Sequence, residues 1–235
     1  MPTLYLLSGG AAKGLVSQLQ ARFLAQTGFG IDGQYDAVGK MREHLLAGAP
    51  CDLIILTDGL IAQLTSSGHL LAGSARPLGL VKTGIAVKDG AALPPLANAE
   101  QLRQALLSAS QIYFPDPVKA TAGIHFMKVL RELGIDGQVA DRLRPFANGA
   151  AAMQALAQSS EAGVIGCTQV TEIIFAPGVQ LVAALPKAFE LATVYSAAVC
   201  SQAAQPKAAS DLIELLISEE AAALRRAGGF ESLSD

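Results

Sequence analysis

Short apolar runs alternate with helical periodicity along most of the chain. The runs TLYLL (3–7) and DLIIL (52–56) are typical of buried strands, whereas Leu15, Leu19 and Phe23 recur at helical spacing up to Gly28. Further runs with strand character are QIYF (111–114), GVIG (163–166) and VQLVAAL (179–185). Because helical patterns separate these strands, the sequence predicts βαβ units with parallel sheets and an α/β fold.

Two long extended segments break this alternation. They are RPLGLVKTGIAVKDG (76–90) and ELATVYSAAVC (190–200), and we interpret them as two crossings of the chain between two lobes. Lobe one is then predicted to comprise residues 1–84 and 189–235, and lobe two residues 85–188. The segment ASDLIELLISEEAAALRRAGG (209–229) predicts a single C-terminal helix that closes lobe one, with acidic residues early and arginines late.

The composition excludes several function classes. Hydrophobic residues make up 51% of the 235 residues and charged residues 16%, which indicates a folded protein with an ample core. The net charge of −3, the low aromatic content of 5% and the absence of Trp argue against a nucleic acid partner. The three cysteines lack the spacing of a disulfide framework or a metal site, and we expect them to be small buried side chains.

No targeting, membrane or cofactor signal is visible. No apolar run approaches the roughly 20 residues of a membrane span. The N-terminal MPTLYLLSGG does not read as a signal peptide, so we expect a cytoplasmic protein, or a periplasmic one whose leader has been removed. Neither a phosphate-binding loop nor a dinucleotide fingerprint nor metal-ligand spacing occurs, so no cofactor and no metal are predicted.

The candidate ligand site lies at the joints where strands are predicted to end and helices to begin. Ligands of open α/β sheets bind beyond the carboxyl ends of the strands, and helix N-termini attract anions. Several of these joints combine glycine, small residues and hydroxyl groups. The predicted ligand-binding residues are Ser8, Gly9, Gly10, Ala11, Lys13, Val38, Gly39, Lys40, Arg42, Thr57, Lys119, Thr121, Ala122, Gly123, Gly149 and Thr168.

Cations stand at positions where helix polarity disfavours them. Lys13, Lys40 and Lys119 lie at or just before predicted helix starts, where a positive charge costs roughly 0.3–1 kcal/mol. One interpretation is that an anionic ligand compensates these charges, and the other is that each lysine extends into water. Arg42 is either a carboxylate clamp or a side chain along the rim. His125 is the histidine we place nearest to a ligand, although packing is the stronger explanation for it.

Four blocks resemble successive parts of the substrate-binding proteins of molybdate ABC importers. They are LYLLSGGAAKGLVSQLQARFLAQTG (4–28), GKMREHLLAGAPCDLIILTD (39–58), FPDPVKATAGIHFMKVLRELGI (114–135) and LIELLISEEAAALRRAGGF (212–230). The resemblance implies the type-2 periplasmic-binding-protein fold: two lobes, each a mainly parallel sheet flanked by helices, with the two crossing segments as a hinge and an anion in the cleft. It also implies an ABC permease as a possible partner.

The oxyanion site of that family does not carry over. Ala11 and Val38 stand where molybdate binders have serines, Gly166 where they have a tyrosine, and Gly149 where they have a valine whose amide binds the oxyanion. The loss of the tyrosine side chain predicts more room for a ligand, and the lysines at the helix starts supply charge. The resemblance, with these departures, therefore favours a larger organic anion over molybdate.

Three functions follow as hypotheses. The first is a solute-binding protein that closes its two lobes on a small organic anion, a di- or tricarboxylate. The second is an enzyme similar to the aconitate isomerases of this branch, which moves a proton on an unsaturated tricarboxylate, with Lys13, Lys40 and His125 as catalytic candidates. The third is molybdate or tungstate binding through backbone amides for ABC import.

Overall fold

The chain folds into two compact units. The computed structural model describes residues 1–233, so the last two residues of the predicted lobe one, Ser234 and Asp235, lie outside the described part. Unit 1 consists of Met1–Val81 together with the chain from Thr193 onward, and unit 2 is Lys82–Ala192. Unit 2 is therefore an insertion into unit 1.

Strands and helices alternate through both units. The strands are β1 (Thr3–Gly9), β2 (Gly30–Asp36), β3 (Leu53–Thr57), β4 (Arg76–Lys88), β5 (Ile112–Pro115), β6 (Leu143–Phe146), β7 (Ile165–Gln169), β8 (Val179–Ala184) and β9 (Ala192–Val199). The helices are α1 (Lys13–Thr27), α2 (Val38–Leu46), α3 (Asp58–Ser66), α4 (Ala99–Ser108), α5 (Thr121–Glu132), α6 (Asp136–Val139), α7 (Gly149–Gln158), α8 (Val170–Phe175), α9 (Pro206–Ile217) and α10 (Glu219–Ala227). The predicted α/β class is confirmed. None of the helices described combines the length and the apolar composition needed to cross a membrane.

The sheet of unit 1 joins strands from both ends of the chain. Strand β1 pairs in parallel with β2 and β3, and β3 pairs antiparallel with β9. Leu15, Leu19 and Phe23 of α1 are buried in the core of this unit, as their spacing predicts. Gly28 ends α1 in the left-handed conformation with φ 75°, which a residue without a side chain adopts at no steric cost.

The sheet of unit 2 brings three helix starts to one edge. Strand β5 pairs in parallel with β6 and β7, while β4 pairs antiparallel with β7 and β8. After a few connecting residues, or directly, β5 leads into α5, β6 into α7 and β7 into α8. The carboxyl ends of these parallel strands therefore present the starts of α5, α7 and α8 along the same edge.

The chain crosses between the two units twice, each time within an extended strand. The boundary Val81/Lys82 falls within β4, and the boundary Ala192/Thr193 falls within β9. On the unit 2 side, Lys82 forms an ion pair of 3.3 Å with Glu190, and the Thr83 amide donates to the carbonyl of Leu191. The two passing segments are thus held to each other where they enter unit 2.

The structure differs from the sequence prediction in two strands and one helix. Strands β2 and β6 were not predicted, because the GIDGQYD sequence of β2 and the short LRPF sequence of β6 have little of the β-branched character that marks strands. The single C-terminal helix is wrong, because the chain breaks at Ser218, whose hydroxyl accepts a hydrogen bond from the Ala221 amide and begins α10. Asp211 and Glu214, early in the predicted helix, lie in α9, whereas the acidic first turn and the arginines of the last turn belong to α10.

Candidate functional site

The first candidate region lies in unit 1, where β1 and β2 end side by side. Gly9 at the end of β1 pairs with Asp36 at the end of β2, so the starts of α1 and α2 are neighbours. A side chain at position 9 would place its Cβ 2.7 Å from Val38 Cγ1 and 3.2 Å from the ring of Tyr195. Close packing of Val38 and Tyr195 therefore accounts for the glycine, independently of any ligand.

Lys40, in the first turn of α2, has an anionic partner in its own chain. Its Nζ lies 2.5 Å from Asp36 Oδ2, and Asp36 Oδ1 accepts a hydrogen bond of 2.8 Å from the Ala37 amide. The lysine side chain is 44% exposed and the aspartate side chain 13%. A side chain of the protein, rather than water alone, thus faces this cation at the helix start.

Lys13 begins α1 and lies against an aromatic ring. Its Nζ is 5.9 Å from the ring centroid of Tyr35, within the range of a cation–π contact. Burial of Tyr35 raises the pKa of its hydroxyl to about 12. The Lys13 side chain is largely exposed, so its ammonium group can contact both the ring and solvent.

The remaining predicted residues of unit 1 have diverse surroundings. The buried Ser8 hydroxyl donates to the carbonyl of Gly9 at 2.8 Å, and Arg42 is exposed on α2. Ala11 is buried and Gly10 is half-buried in the short turn before α1, and Gly39 is half-buried in α2. Thr57 precedes α3 without capping it through its side chain, and Asp58 instead accepts a hydrogen bond of 2.8 Å from the buried Ser196 hydroxyl.

The second candidate region lies in unit 2 at the start of α5. Asp116 Oδ1 accepts hydrogen bonds from the amides of Val118 and Lys119. At position 123 a Cβ would overlap the carbonyl oxygens of Pro115 and Asp116, so Gly123 lets α5 pack directly on the backbone that follows β5. Ala122 is buried, Thr121 is half-buried and Lys119 is exposed.

His125, further along α5, is held by a backbone carbonyl. Its Nε2 lies 2.8 Å from the carbonyl oxygen of Phe189, and because a carbonyl only accepts, Nε2 is the donor. Only Nδ1 of the neutral ring then remains to accept a proton. The half-buried position of His125 fits the packing explanation given above.

The third candidate region contains a carboxylate that sequence reasoning missed. The buried Thr168 hydroxyl at the end of β7 donates to Glu172 Oε2 on α8 at 2.5 Å. A Cβ at position 149, the first residue of α7, would overlap both Glu172 Oε2 and Thr168 Oγ1. Glu172 therefore lies against the backbone at the start of α7, and only glycine at position 149 allows this approach.

The space expected from the missing tyrosine is filled. At Gly166 a Cβ would lie 2.6 Å from Met153 Cε and 2.8 Å from Leu156 Cδ1. Both are side chains of α7 and both are fully buried. The prediction of more room at this position is wrong, because α7 packs directly onto the glycine.

The helix starts differ in how their first amides are satisfied. The N-cap residues of α2 and α5 are Ala37 and Ala120, whose side chains form no capping hydrogen bond. The start of α7 is capped by Asn148, which accepts a hydrogen bond from the Ala151 amide. Amides at the first two starts can therefore donate to a ligand or to water.

The residues that sequence reasoning missed are Asp36, Glu172, Tyr195 and Ser196. Asp36 stands four residues before Lys40, but it ends β2 and does not lie on α2, so helical spacing does not account for their contact. The contact of Glu172 with Gly149 joins distant parts of the chain and leaves no local signal. No group of three or more His, Cys, Asp or Glu side chains in residues 1–233 is arranged to hold a metal ion.

Comparison with known proteins gives consistent relatives. The family model described as bacterial extracellular solute-binding protein matches residues 4–231. An aconitate isomerase from Pseudomonas sp is 25% identical over 226 residues, covering 94% of this chain and 84% of the relative.

Two solved structures extend the comparison. The periplasmic molybdate-binding protein of Azotobacter vinelandii matches 98% of this chain and 100% of its own with a TM-score of 0.81 and 20% identity. The sulfate-binding protein SubI of Mycobacterium tuberculosis H37Rv matches 100% of this chain and 88% of its own, with a TM-score of 0.76 and 18% identity. These likenesses confirm the predicted fold.

Proposed function

Because the chain belongs to the bacterial extracellular solute-binding proteins, we propose that it binds a small organic anion with two or three carboxylate groups. The observation that carries this proposal is the position of Glu172 beside Gly149 and Thr168 in unit 2. Gly149 corresponds to the position whose amide holds the oxyanion in molybdate binders. In this chain Glu172 Oε2 lies against the same residue, so close that a Cβ at position 149 would overlap it.

A negative charge at this place disfavours a compact dianion. Two unit charges 4 Å apart repel by about 4 kcal/mol at an effective dielectric constant of 20, and each further charge on the ligand adds to this. A polycarboxylate distributes its charges over several ångströms, so a methylene or hydroxyl group can lie near Glu172 while its carboxylates contact amides and ammonium groups. Taken by itself, the start of α2 in unit 1 also offers an anion the amides of its first turn and the ammonium group of Lys40.

Binding of this kind fits a carrier that delivers its ligand to an ABC permease on the outer side of the cell membrane. The proposed motion is a closure about the passing segments β4 and β9, which shifts an open-to-closed equilibrium when ligand is present. Small-angle X-ray scattering tests the motion directly, because a saturating ligand is expected to reduce the radius of gyration. An unchanged scattering curve at saturation would contradict it.

The first experiment is thermal unfolding against a panel of anions. The panel contains citrate, cis-aconitate, trans-aconitate, tricarballylate, molybdate, tungstate, sulfate and phosphate. A ligand at one hundred times its Kd stabilises the folded state by about 2.7 kcal/mol, which raises Tm by several degrees. We expect shifts with tricarboxylates and none with the tetrahedral oxyanions. Stabilisation by molybdate alone would overturn the proposal.

A second candidate function is the isomerisation of an unsaturated tricarboxylate. Glu172 favours it, because a carboxylate near bound substrate can take a proton from the methylene group beside a substrate carboxylate and return it at the far end of the allylic system. The electron pair left on carbon is delocalised into the carboxylate, where ammonium groups stabilise it. The relative named aconitate isomerase supports this candidate.

Turnover and binding are separated by one assay. The protein is incubated with trans-aconitate in D2O, and proton NMR follows both the appearance of cis-aconitate and the loss of the exchanging proton signal. An isomerase produces the cis isomer catalytically. A carrier binds trans-aconitate in the thermal assay and leaves its spectrum unchanged.

A further inference from the structure

Two of the three cysteines meet in the core of unit 1. Cys51, just before β3, and Cys200, just after β9, have their sulfur atoms 3.1 Å apart, and both are free thiols. Cys200 is 2% exposed and Cys51 9%. The third cysteine, Cys167, lies fully buried in β7 of unit 2.

The backbone on both sides of the pair is fixed by hydrogen bonds. The Cys200 amide donates to the Asp52 carbonyl at 3.0 Å, and Leu53 pairs with Val199 in the antiparallel ladder of β3 and β9. The Asp52 side chain accepts hydrogen bonds of 2.8 Å from the amides of Tyr5 and Gln205. The two cysteines are therefore neighbours because of the fold itself, and not through a chance rotamer of a mobile side chain.

We propose that Cys51 and Cys200 form a structural disulfide when the protein folds in an oxidising compartment. The sulfur atoms need to approach by only about 1 Å to reach the covalent S–S distance. The family is extracellular, and disulfides form and persist outside the reducing cytosol. The bridge spans 149 positions of the chain, so the closed ring contains all of unit 2.

The oxidant is a disulfide, either oxidised glutathione or the disulfide of a thiol oxidoreductase. One cysteine attacks it as thiolate and releases one thiol, giving a mixed disulfide. The thiolate of the second cysteine then attacks the sulfur atom of the first cysteine and releases the other thiol of the oxidant. Two protons and two electrons thus leave the cysteine pair, and the external disulfide is reduced to two thiols. The hydrogen bond with Cys51 and burial both raise the pKa of Cys200, so the reaction belongs to the folding chain and not to the buried pair.

The test is refolding from denaturant in a mixture of reduced and oxidised glutathione, followed by alkylation of the unfolded protein in denaturant and tryptic mapping without reduction. Trypsin places Cys51, Cys167 and Cys200 in three separate peptides, residues 43–82, 143–187 and 188–207. The first two peptides extend past Arg76 and Arg144 because trypsin does not cut before proline. We expect peptides 43–82 and 188–207 to be joined, with Cys167 alkylated. Three alkylated cysteines, or a bridge that involves Cys167, would overturn the proposal.

Stability gives a second readout. The oxidised wild type is expected to unfold about 5–10 °C above the same protein kept in reducing agent, because the bridge constrains the unfolded chain. The Cys200→Ser variant should lose this difference, whereas Cys167→Ser, the matched buried cysteine, should keep it. Equal Tm values for oxidised and reduced wild type, once mapping has established the bridge, would contradict a structural role.

Discussion

Lys40 Nζ lies 2.5 Å from Asp36 Oδ2, so the cation in the first turn of α2 faces a carboxylate of its own chain. The pair joins the end of β2 to the start of the next helix. The carboxylate of Asp36 offsets part of the cost of a positive charge in the first turn of a helix. The Lys40 side chain is 44% exposed, and its ammonium group has three donors, so it can still donate to a ligand.

Replacement of Lys40 tests its assigned role in binding. Lys40→Ala is expected to weaken the binding of the stabilising tricarboxylate ten- to hundredfold, since a charge-assisted hydrogen bond contributes about 1.5–3 kcal/mol. The ligand-free protein should lose no more than about 0.5 kcal/mol of stability, as is usual for an i,i+4 ion pair near the surface. Titration calorimetry and urea unfolding measure the two effects.

The matched control is Lys207→Ala, which removes another i,i+4 pair of unit 1, that of Lys207 with Asp211 at 2.9 Å on α9. Its affinity should equal that of the wild type. Asp36→Asn removes the competing carboxylate and is expected to raise the affinity for anions. Wild-type affinity in Lys40→Ala would remove Lys40 from the site.

Replacement of Glu172 tests the role proposed for its carboxylate in unit 2. Glu172→Gln is expected to abolish isomerisation if the protein is an enzyme, because the amide cannot accept a proton. In either function it should improve the binding of compact dianions such as sulfate at least tenfold, because the repelling charge is gone. Glu161→Gln, which alters an exposed carboxylate bonded to Gln111 in the same unit, serves as control. If the sulfate affinity of Glu172→Gln is unchanged, Glu172 does not lie near the bound ligand.

We expect that a glycine at position 149 is needed for Glu172 to keep its present position. Gly149→Ala places a Cβ where Glu172 Oε2 and Thr168 Oγ1 now lie, so we expect a loss of about 1–3 kcal/mol of stability from overpacking. The same change at Gly59 in α3 meets open space and should stabilise by about 0.5–1 kcal/mol. Urea unfolding of both variants decides this, and a stable Gly149→Ala would mean that Glu172 turns away at little cost.

The raised pKa of the Tyr35 hydroxyl predicts a loss of stability at high pH. Its pKa is raised by burial from 10.0 to about 12 in the folded protein, so the unfolded chain releases the hydroxyl proton first. The contribution of Tyr35 is therefore fully present below pH 10 and is lost as the pH rises from 10 towards 12. Relative to its own value at pH 8, the free energy of unfolding should fall less steeply over this range in Tyr35→Phe than in wild type. Parallel curves would contradict the assignment.

The sequence was sufficient to predict the α/β class and several strands and helices, but not every element or boundary. The end of α1 at Gly28 and the buried strands β1 and β3 follow from periodicity and local steric preference. Strand β2 was missed because it forms through pairing with β1, which overrides the weak propensity of its glycines and aspartates. The break at Ser218 was missed because no glycine or proline occurs between Ala209 and Ala227 to mark the end of a helix.

The candidate site was predictable only where its contacts are local. The pair of Lys40 with Asp36 joins residues only four positions apart, whereas the contact of Glu172 with Gly149 depends on how α7 and α8 pack. The filled space at Gly166 shows the same limit, since the sequence does not reveal that Met153 and Leu156 occupy it. Whether a missing side chain leaves space for a ligand therefore depends on long-range packing.

The construction of unit 1 from both chain ends has a consequence for synthesis. Strand β3 emerges early, but its antiparallel partner β9 follows only after the whole of unit 2. Until then the apolar edge formed by Leu53, Ile54 and Ile55 is an unpaired template for other strands. A chaperone that guards the nascent chain is therefore expected to occupy residues 53–57 for longest, and to leave when β9 arrives.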